Sequence, residues 1–425
     1  MSEAPEGPRP DPPARRGSPL LPIFLTVFVD VLGLTMMLPL LPLYGKHFGA
    51  TDFVVTLLGA SYSACQFFAG PLLGALSDRI GRKPVLLLSQ MGTFAAFLTI
   101  GGAQSLWWLF AGRMLDGLTA GNLGIAQAYI SDVTKPENRT RAFGVIGISF
   151  GMGFLVGPGV SGLLADRYGF PVPAYLAASL SLLSILLTAV FVPNQAELET
   201  LKALHGTAMP KASPPTSEAG APPPTGRRSL NFAKFLARPL PRRRLLQFFA
   251  YTTSFAVLQG GLALFLRHRF DFGVKQVGYV FMLSGFMGVL IQGPLGRLVK
   301  RVGEPRLALA GFLTMAIGYP LLGINTSLGG LIALVCFAGF GVTVVRPCVT
   351  TLITKSVGRH EQGEALGASQ SLASISQVVG QPLAGVLIGH QLLGAYGLVA
   401  GLFAVVGAAL SMAPEPAADS TVSST

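Results

Sequence analysis

"GALSDRIGRKP", residues 74–84, sets Asp78, Arg79, Arg82 and Lys83 between two long apolar runs, with glycines at Gly74 and Gly81. A greasy chain gathers charge this tightly where it turns back at a membrane surface. Glycine serves the tight turn, and Arg and Lys hold the loop on the cytoplasmic side. The composition agrees. Hydrophobic residues make up 51% of the 425, mean hydropathy is +0.57, and only 12% are charged, against roughly 25% in soluble domains. Spanning a bilayer takes about 20 mostly apolar residues. Working outward from the opening stretch gives twelve such runs, at 20–43, 53–76, 84–103, 106–130, 142–165, 172–193, 243–266, 276–298, 306–323, 328–351, 366–389 and 391–412.

The fold class expected is therefore an all-α membrane protein with twelve transmembrane helices in two bundles of six. Residues 1–19 read as a disordered cytoplasmic N-terminus, 20–193 as the first bundle, 194–242 as a disordered cytoplasmic linker, 243–412 as the second bundle, and 413–425 as a cytoplasmic tail. The linker is rich in Pro, Ala and Ser and cannot bury a core. It ends in Arg242, Arg243 and Arg244, expected to hold span 7 against anionic lipid heads. The first span is too long for a signal-peptide core and reads as a signal anchor. The net charge of +12 reflects topology, because most of the 31 Lys and Arg residues fall on one side of the spans. No nucleic-acid partner is expected. Cys65, Cys336 and Cys348 lie inside spans, where a disulfide framework makes no sense.

The halves repeat. Sliding one over the other brings Gly74, Arg79 and Gly81 onto Gly296, Arg301 and Gly303, and Gly144, Gly157 and Gly162 onto Gly367, Gly380 and Gly385. Parallel six-helix repeats are the mark of transporters in which substrate passes between two rocking bundles. Here "GALSDRIGRKP" resembles the cytoplasmic stretch between helices 2 and 3 of the major facilitator superfamily, and the resemblance runs over nearly the whole chain. It implies both chain ends in the cytoplasm. It also implies a cytoplasmic latch between the bundles, built from Gly74, Asp78, Arg79, Gly81, Arg82 and Lys83 with Asp132 and Arg139. Asp78 is expected near the N-terminus of span 11, where a helix dipole favours a carboxylate. The second half puts Lys300 opposite Asp78 and Lys355 opposite Asp132, so the latch is one-sided.

Gly153, Gly157, Pro158 and Gly162, in "GMGFLVGPGVSG" (151–162), resemble the motif of proton-coupled drug antiporters in this superfamily, with Ser161 where glycine is usual. Small residues four apart also let helices approach closely. The segments "VDVLGLTMMLPLLP" (29–42), "GALSDRIGRKPVLL" (74–87), "AYISD" (128–132) and "GPGVSG" (157–162) are similar, in order and spacing, to the tetracycline and multidrug efflux group.

Intramembrane charges are costly and mark function. Asp30 lies midway along span 1, and either bonds a neighbouring helix or carries the proton. Arg113 and Asp116, three apart on span 4, can pair with each other, while the resemblance gives Arg113 a part in proton coupling. These three are the proton-coupling candidates. On span 11, Gln370, Ser374, Gln377 and Gln381 share one face; on span 10, Thr343, Arg346 and Thr350 do the same, with Arg346 near enough to the cytoplasmic end to snorkel. With Asn122, Gln127 and Gln259, the span 11 stripe and Arg346 are candidates for the substrate cavity. The small stripe Gly117, Gly121, Gly124 and Ala128 on span 4 reads as packing. No GxxxxGK[ST] loop occurs, so ATP hydrolysis by this chain is not expected. Four of the five histidines, His47, His205, His268 and His360, fall in expected loops, and no catalytic constellation or metal site is expected.

The function expected is a secondary transporter in the cell membrane, the inner membrane in a bacterium. It exchanges protons for drugs or other small amphiphiles, with no cofactor, and works as a monomer in the lipid bilayer. The alternatives are a proton symporter or facilitator for a metabolite or organic anion, with Arg346 as anion contact, and a transporter-like receptor that moves nothing.

Overall fold

The structure is a computed structural model that describes residues 20–133, 139–192, 194, 232–358 and 361–413, without the side chains of 20–23, 131–133, 139–146, 232 and 233. The expected N-terminal tail, most of the linker, nearly all of the C-terminal tail, and the side chains of Asp132 and Arg139 lie outside the described residues.

The first bundle holds α1 (Leu20–His47), α2 (Asp52–Ile80), α3 (Arg82–Gly101), α4 (Leu106–Leu118), α5 (Asn122–Val133), α6 (Arg139–Tyr168) and α7 (Pro171–Phe191). A short α8 (Phe232–Ala237) leads into the second, α9 (Pro239–Phe270), α10 (Val274–Val302), α11 (Glu304–Ile324), α12 (Leu328–Lys355), α13 (Gln362–Gly389) and α14 (Leu393–Met412). Among the described residues, eleven helices are long and apolar enough to cross a membrane. The fourth expected span, 106–130, is the one not among them, because it is broken into α4 and α5 at residues 119–121. A second difference concerns the linker, whose last residues are helical. Phe235 is buried among Leu245, Phe248 and Val357, and Glu361 binds Lys234 and Arg238, so α8 docks on the second bundle.

The repeat is visible in the backbone. Gly81 ends α2 at φ 100°, ψ 159°, and Gly303 ends α10 at φ 85°, ψ 150°. Only glycine adopts that conformation without strain, which is why the chain writes glycine at the same place in both halves.

The expected lipid cluster is corrected in part. Arg243 and Arg244 are buried. Arg243 donates from Nε to the Leu410 carbonyl at 2.6 Å, and also to those of Ser411 and Ala413, so it caps the C-terminal end of α14. Arg244 donates to Gln247 Oε1 at 3.1 Å.

The bundles meet along two seams, α2 against α13 and α6 against α10. Toward the end of the molecule that carries Asp52 and His268, both seams close to backbone contact. A Cβ on Gly385 would come within 2.9 Å of the Asp52 carbonyl, and one on Gly278 within 2.5 Å of the Pro158 carbonyl. Toward the opposite end, which carries Gly81 and Gly303, a Cβ on Gly70, Gly74, Gly293, Gly296, Gly363 or Gly367 would meet nothing among the described residues within 4 Å. The crevice between the bundles is thus shut at the His268 end and open at the Gly81 end.

Candidate proton and substrate site

Asp30 sits on α1 with its Oδ2 accepting from Asn122 Nδ2 at 3.1 Å and Gln90 Nε2 at 3.3 Å. Gln90 is wholly buried; its Nε2 also donates to Ser184 Oγ at 2.8 Å, and its carbonyl accepts from Ser181 Oγ at 3.3 Å. Three oxygens in this cluster, Asp30 Oδ1, Gln90 Oε1 and Asn122 Oδ1, are shielded from solvent and have no hydrogen-bond partner among the described residues. A buried polar group left unpaired costs about 1–3 kcal/mol. The cluster has more acceptors than donors. No Lys or Arg among the described residues pairs with Asp30, and a proton on its carboxyl supplies one of the missing donors.

The break between α4 and α5 creates this geometry. At Thr119, Ala120 and Gly121 the helix ladder is interrupted; the Gly121 N–H donates to the Thr119 carbonyl at 2.7 Å, and the buried Ser89 of α3 binds both of these groups. Its hydroxyl donates to the Thr119 carbonyl and accepts from Gly121 N at 3.0 Å. Interrupted helices survive at membrane depth only when neighbours satisfy the backbone in this way. The new helix starts at Asn122, the residue that reaches Asp30. Sequence reading took Gly117, Gly121 and Gly124 as packing and missed the break; the available signal was "GLTAGN" (117–122), two glycines around a threonine with an asparagine following.

Arg113 and Asp116 do pair with each other, at 2.9 Å and almost fully buried. Thr93 Oγ1 donates to Asp116 at 3.1 Å, and the Arg113 guanidinium stands 4.1 Å from the centre of the Tyr62 ring. The two charges neutralise one another, whereas Asp30 has no cation on it among the described residues.

The motif helix α6 packs on α1 and α10 at once. A Cβ on Gly153 would strike Val31 at 2.7 Å, and one on Gly157 would strike Thr35, whose Oγ1 donates to the Gly153 carbonyl at 2.9 Å. Gly162 faces Val274 and Gly278 of α10, while the Pro158 carbonyl abuts Gly278. Ser161 Oγ donates to that same carbonyl at 3.1 Å.

The expected cavity residues separate into two groups. Gln377 and Gln381 belong to the closed part of the α2–α13 seam. Gln377 Oε1 accepts from Ser63 Oγ at 2.9 Å across the bundles, and Gln381 fills the space above Gly59. Ser374 is buried, with its hydroxyl on the Gln370 carbonyl. Gln127, Arg346 and Gln370 are exposed, and Gln259 is part-exposed.

At the latch, Gly74 has no close neighbour and Asp78 is exposed, 2.6 Å from Arg82. Arg82 also donates to Ser77 Oγ, and Lys83 to the Ala189 carbonyl at the end of α7. Arg79 is exposed. Lys355, expected opposite Asp132, binds Glu304 at 2.6 Å.

One group was missed at the closed end. Asp52, the first residue of α2 and 6% exposed, holds Lys46 at 2.8 Å and His268 Nε2 at 3.0 Å. His268 lies in the last turn of α9, not in a loop as expected, so this contact ties the two bundles together.

Two helical bundles with a crevice open at one end, and a half-buried acid beside an interrupted helix, define a membrane transporter of the alternating-access kind. The chain belongs to the Major Facilitator Superfamily, whose family model matches residues 23–288 and 244–424. It is 27% identical over 408 residues to human major facilitator superfamily domain-containing protein 10, covering 87% of this chain and 86% of that protein. It is 29% identical over 363 residues to the class H tetracycline resistance protein of Pasteurella multocida, covering 84% and 86%. Among solved structures, the human organic anion transporter MFSD10 (TETRAN) matches with a TM-score of 0.68 at 25% identity, over 95% of this chain and all of that one.

Proposed function

We propose that this chain is a proton-coupled antiporter that expels small amphiphilic molecules, spanning the cell membrane as a monomer with its Gly81 end in the cytoplasm. The observation that carries the reading is the acceptor-rich cluster around Asp30, free of cations, beside a crevice open at the Gly81 end. Ionised Asp30 draws the amides of Asn122 and Gln90; protonated, it can donate to one of the unpaired oxygens. Protonation therefore changes the pull on α5 and α3, which share the break that Ser89 closes. Substrate enters from the cytoplasm and leaves when the His268 end opens. A proton taken up there favours the return. The likeness to tetracycline resistance proteins supports drugs as cargo.

In proteoliposomes Asp30→Asn is expected to retain substrate exchange while losing uphill transport driven by a pH gradient, because Asn keeps size and hydrogen bonding but cannot titrate. Uphill transport equal to the parent's would move the proton to another residue, Asp116 first.

A second reading, organic anion transport, has two observations in its favour: Arg346 stands exposed on α12, and a solved relative is an organic anion transporter. Arg346→Gln would then abolish uptake of anionic cargo and spare cationic cargo.

A further inference from the structure

A separate pocket of about 80 Å³ lies inside the second bundle, among α9, α10, α11 and α12. Leu258, Leu262, Leu322 and Val335 give it apolar walls, and Tyr319 lines it. Tyr319 is wholly buried, and its hydroxyl has no hydrogen-bond partner among the described residues. A buried phenol ordinarily finds one. Its neighbours have done so: Tyr251 donates to the Val342 carbonyl at 3.0 Å, and Tyr396 to that of Leu258. The other hydroxyls at the pocket, Ser284 and Thr343, donate to the carbonyls of Val280 and Gly339 on their own helices. Tyr319 is left with an unspent proton in an apolar chamber. Gln259, Ser284 and Thr343 are part-exposed and mark the side from which the pocket is reached.

We propose that this pocket is a substrate subsite, and that it takes a small uncharged terminal group bearing a carbonyl oxygen, an acetyl or carboxamide, with the Tyr319 hydroxyl as its donor. The proposal rests on the reading of the chain as a transporter of small amphiphiles and adds the chemistry of one end of the cargo. Size sets the limit. The volume is roughly half of a cavity of about 150 Å³ that admits benzene and two to three times water's share of about 30 Å³, so a ring is refused and a group of about five heavy atoms fits. Charge is refused as well, because no charged residue lines the pocket and an unpaired buried ion is prohibitive.

The test measures binding alone. In purified protein with Cys65, Cys336 and Cys348 replaced by serine, Ser284→Cys is treated with methyl methanethiosulfonate, and N-methylacetamide is the probe. The probe is expected to slow modification of the introduced thiol, and Tyr319→Phe to raise the half-protecting concentration about five- to tenfold, the worth of one hydrogen bond. Equal protection with and without the hydroxyl overturns the proposal. So does the absence of protection at a thiol that reacts freely, which would mean that the pocket holds only water. Should the thiol at 284 prove inert, Thr343→Cys reports from the α12 side; inertness at both positions overturns the proposal too, since a pocket closed to the reagent is closed to a substrate group. Transport is not part of the readout, so a negative result here leaves the antiport reading standing, and a normal pH-driven Asp30→Asn leaves this one.

Discussion

Replacing His268 by Ala should open the end of the molecule that the structure shows closed. The substitution removes the hydrogen bond between His268 Nε2 and Asp52 Oδ2, which spans 3.0 Å across the bundles. Hydrogen bonds to a charged group contribute about 1.5–3 kcal/mol. Two features lower that figure here. The His268 side chain is 24% exposed, so water screens the interaction, and Lys46 stays 2.8 Å from Asp52 and keeps the carboxylate paired. A destabilisation of about 1–2 kcal/mol remains, which moves the balance between closed and open forms about 5–30-fold. Spin labels on Trp107→Cys and Leu392→Cys, exposed positions at that end on opposite bundles, report the distance between the bundles. The long-distance population should grow in His268→Ala and be partly reversed in His268→Gln, whose amide can still donate. A distance distribution identical to the parent's in His268→Ala would refute the reasoning, and closure of that end would then rest on the glycine packing alone.

Asp78→Asn should shift the same equilibrium the other way. Besides its exposed pair with Arg82, which contributes little, it removes the charge expected to face the α13 dipole when the Gly81 end closes, so the form shut at that end loses about 0.3–1 kcal/mol, and the label pair above should show less of the long distance; an unchanged distribution and normal transport would remove Asp78 from the latch. Glu361 gives a pH dependence. Lys234 and then Arg238, each 2.7 Å away, hold its carboxyl down at about 2. The stabilisation of α8 docking is therefore complete above the ordinary carboxylate range, near 4.3, and is lost as pH falls through about 2. At neutral pH, Glu361→Gln should increase trypsin cleavage at Lys234, and equal cleavage in parent and variant would show that the ion pair does not hold α8.

Much of the fold could be read from residue types because the demands on them are local. Apolar runs of membrane length are local, and so are Gly81 and Gly303, whose positive φ only glycine meets cheaply. What escaped the sequence depends on partners far along the chain. Arg243 looks like its neighbour Arg242, yet the Leu410 carbonyl, 167 residues on, decides that it is a helix cap and not a lipid anchor. The break at residues 119–121 was hidden because an apolar window averages over three residues. Its stability depends on Ser89, and a serine in a membrane span carries no sign of what it will bond. Asp30 and Arg113 were both legible as costly charges. Only geometry separates them: one is neutralised within a single turn of its own helix, and the other is not.

The two ends of the molecule close by different physics, and this bears on how a proton could drive a cycle. At the His268 end, backbones approach until a methyl group would not fit, at Gly385 and Gly278, with one polar bridge on top. Such packing is short-ranged and either present or absent. At the Gly81 end, charged groups on α2 and its loop stand exposed, and their attraction acts over several ångströms but is weakened by water. A proton-linked bias toward either closure would tip the balance between them. The Asp30 cluster is placed to supply it, because α1 carries the acid and also packs on α6 through Gly153 and Gly157. A change in the pull of Asn122 and Gln90 on Asp30 thus bears on the helix that forms one whole seam. On this reading the proton need not meet the cargo: it acts in the first bundle, the Tyr319 pocket holds cargo in the second, and the α6–α10 seam transmits the consequence.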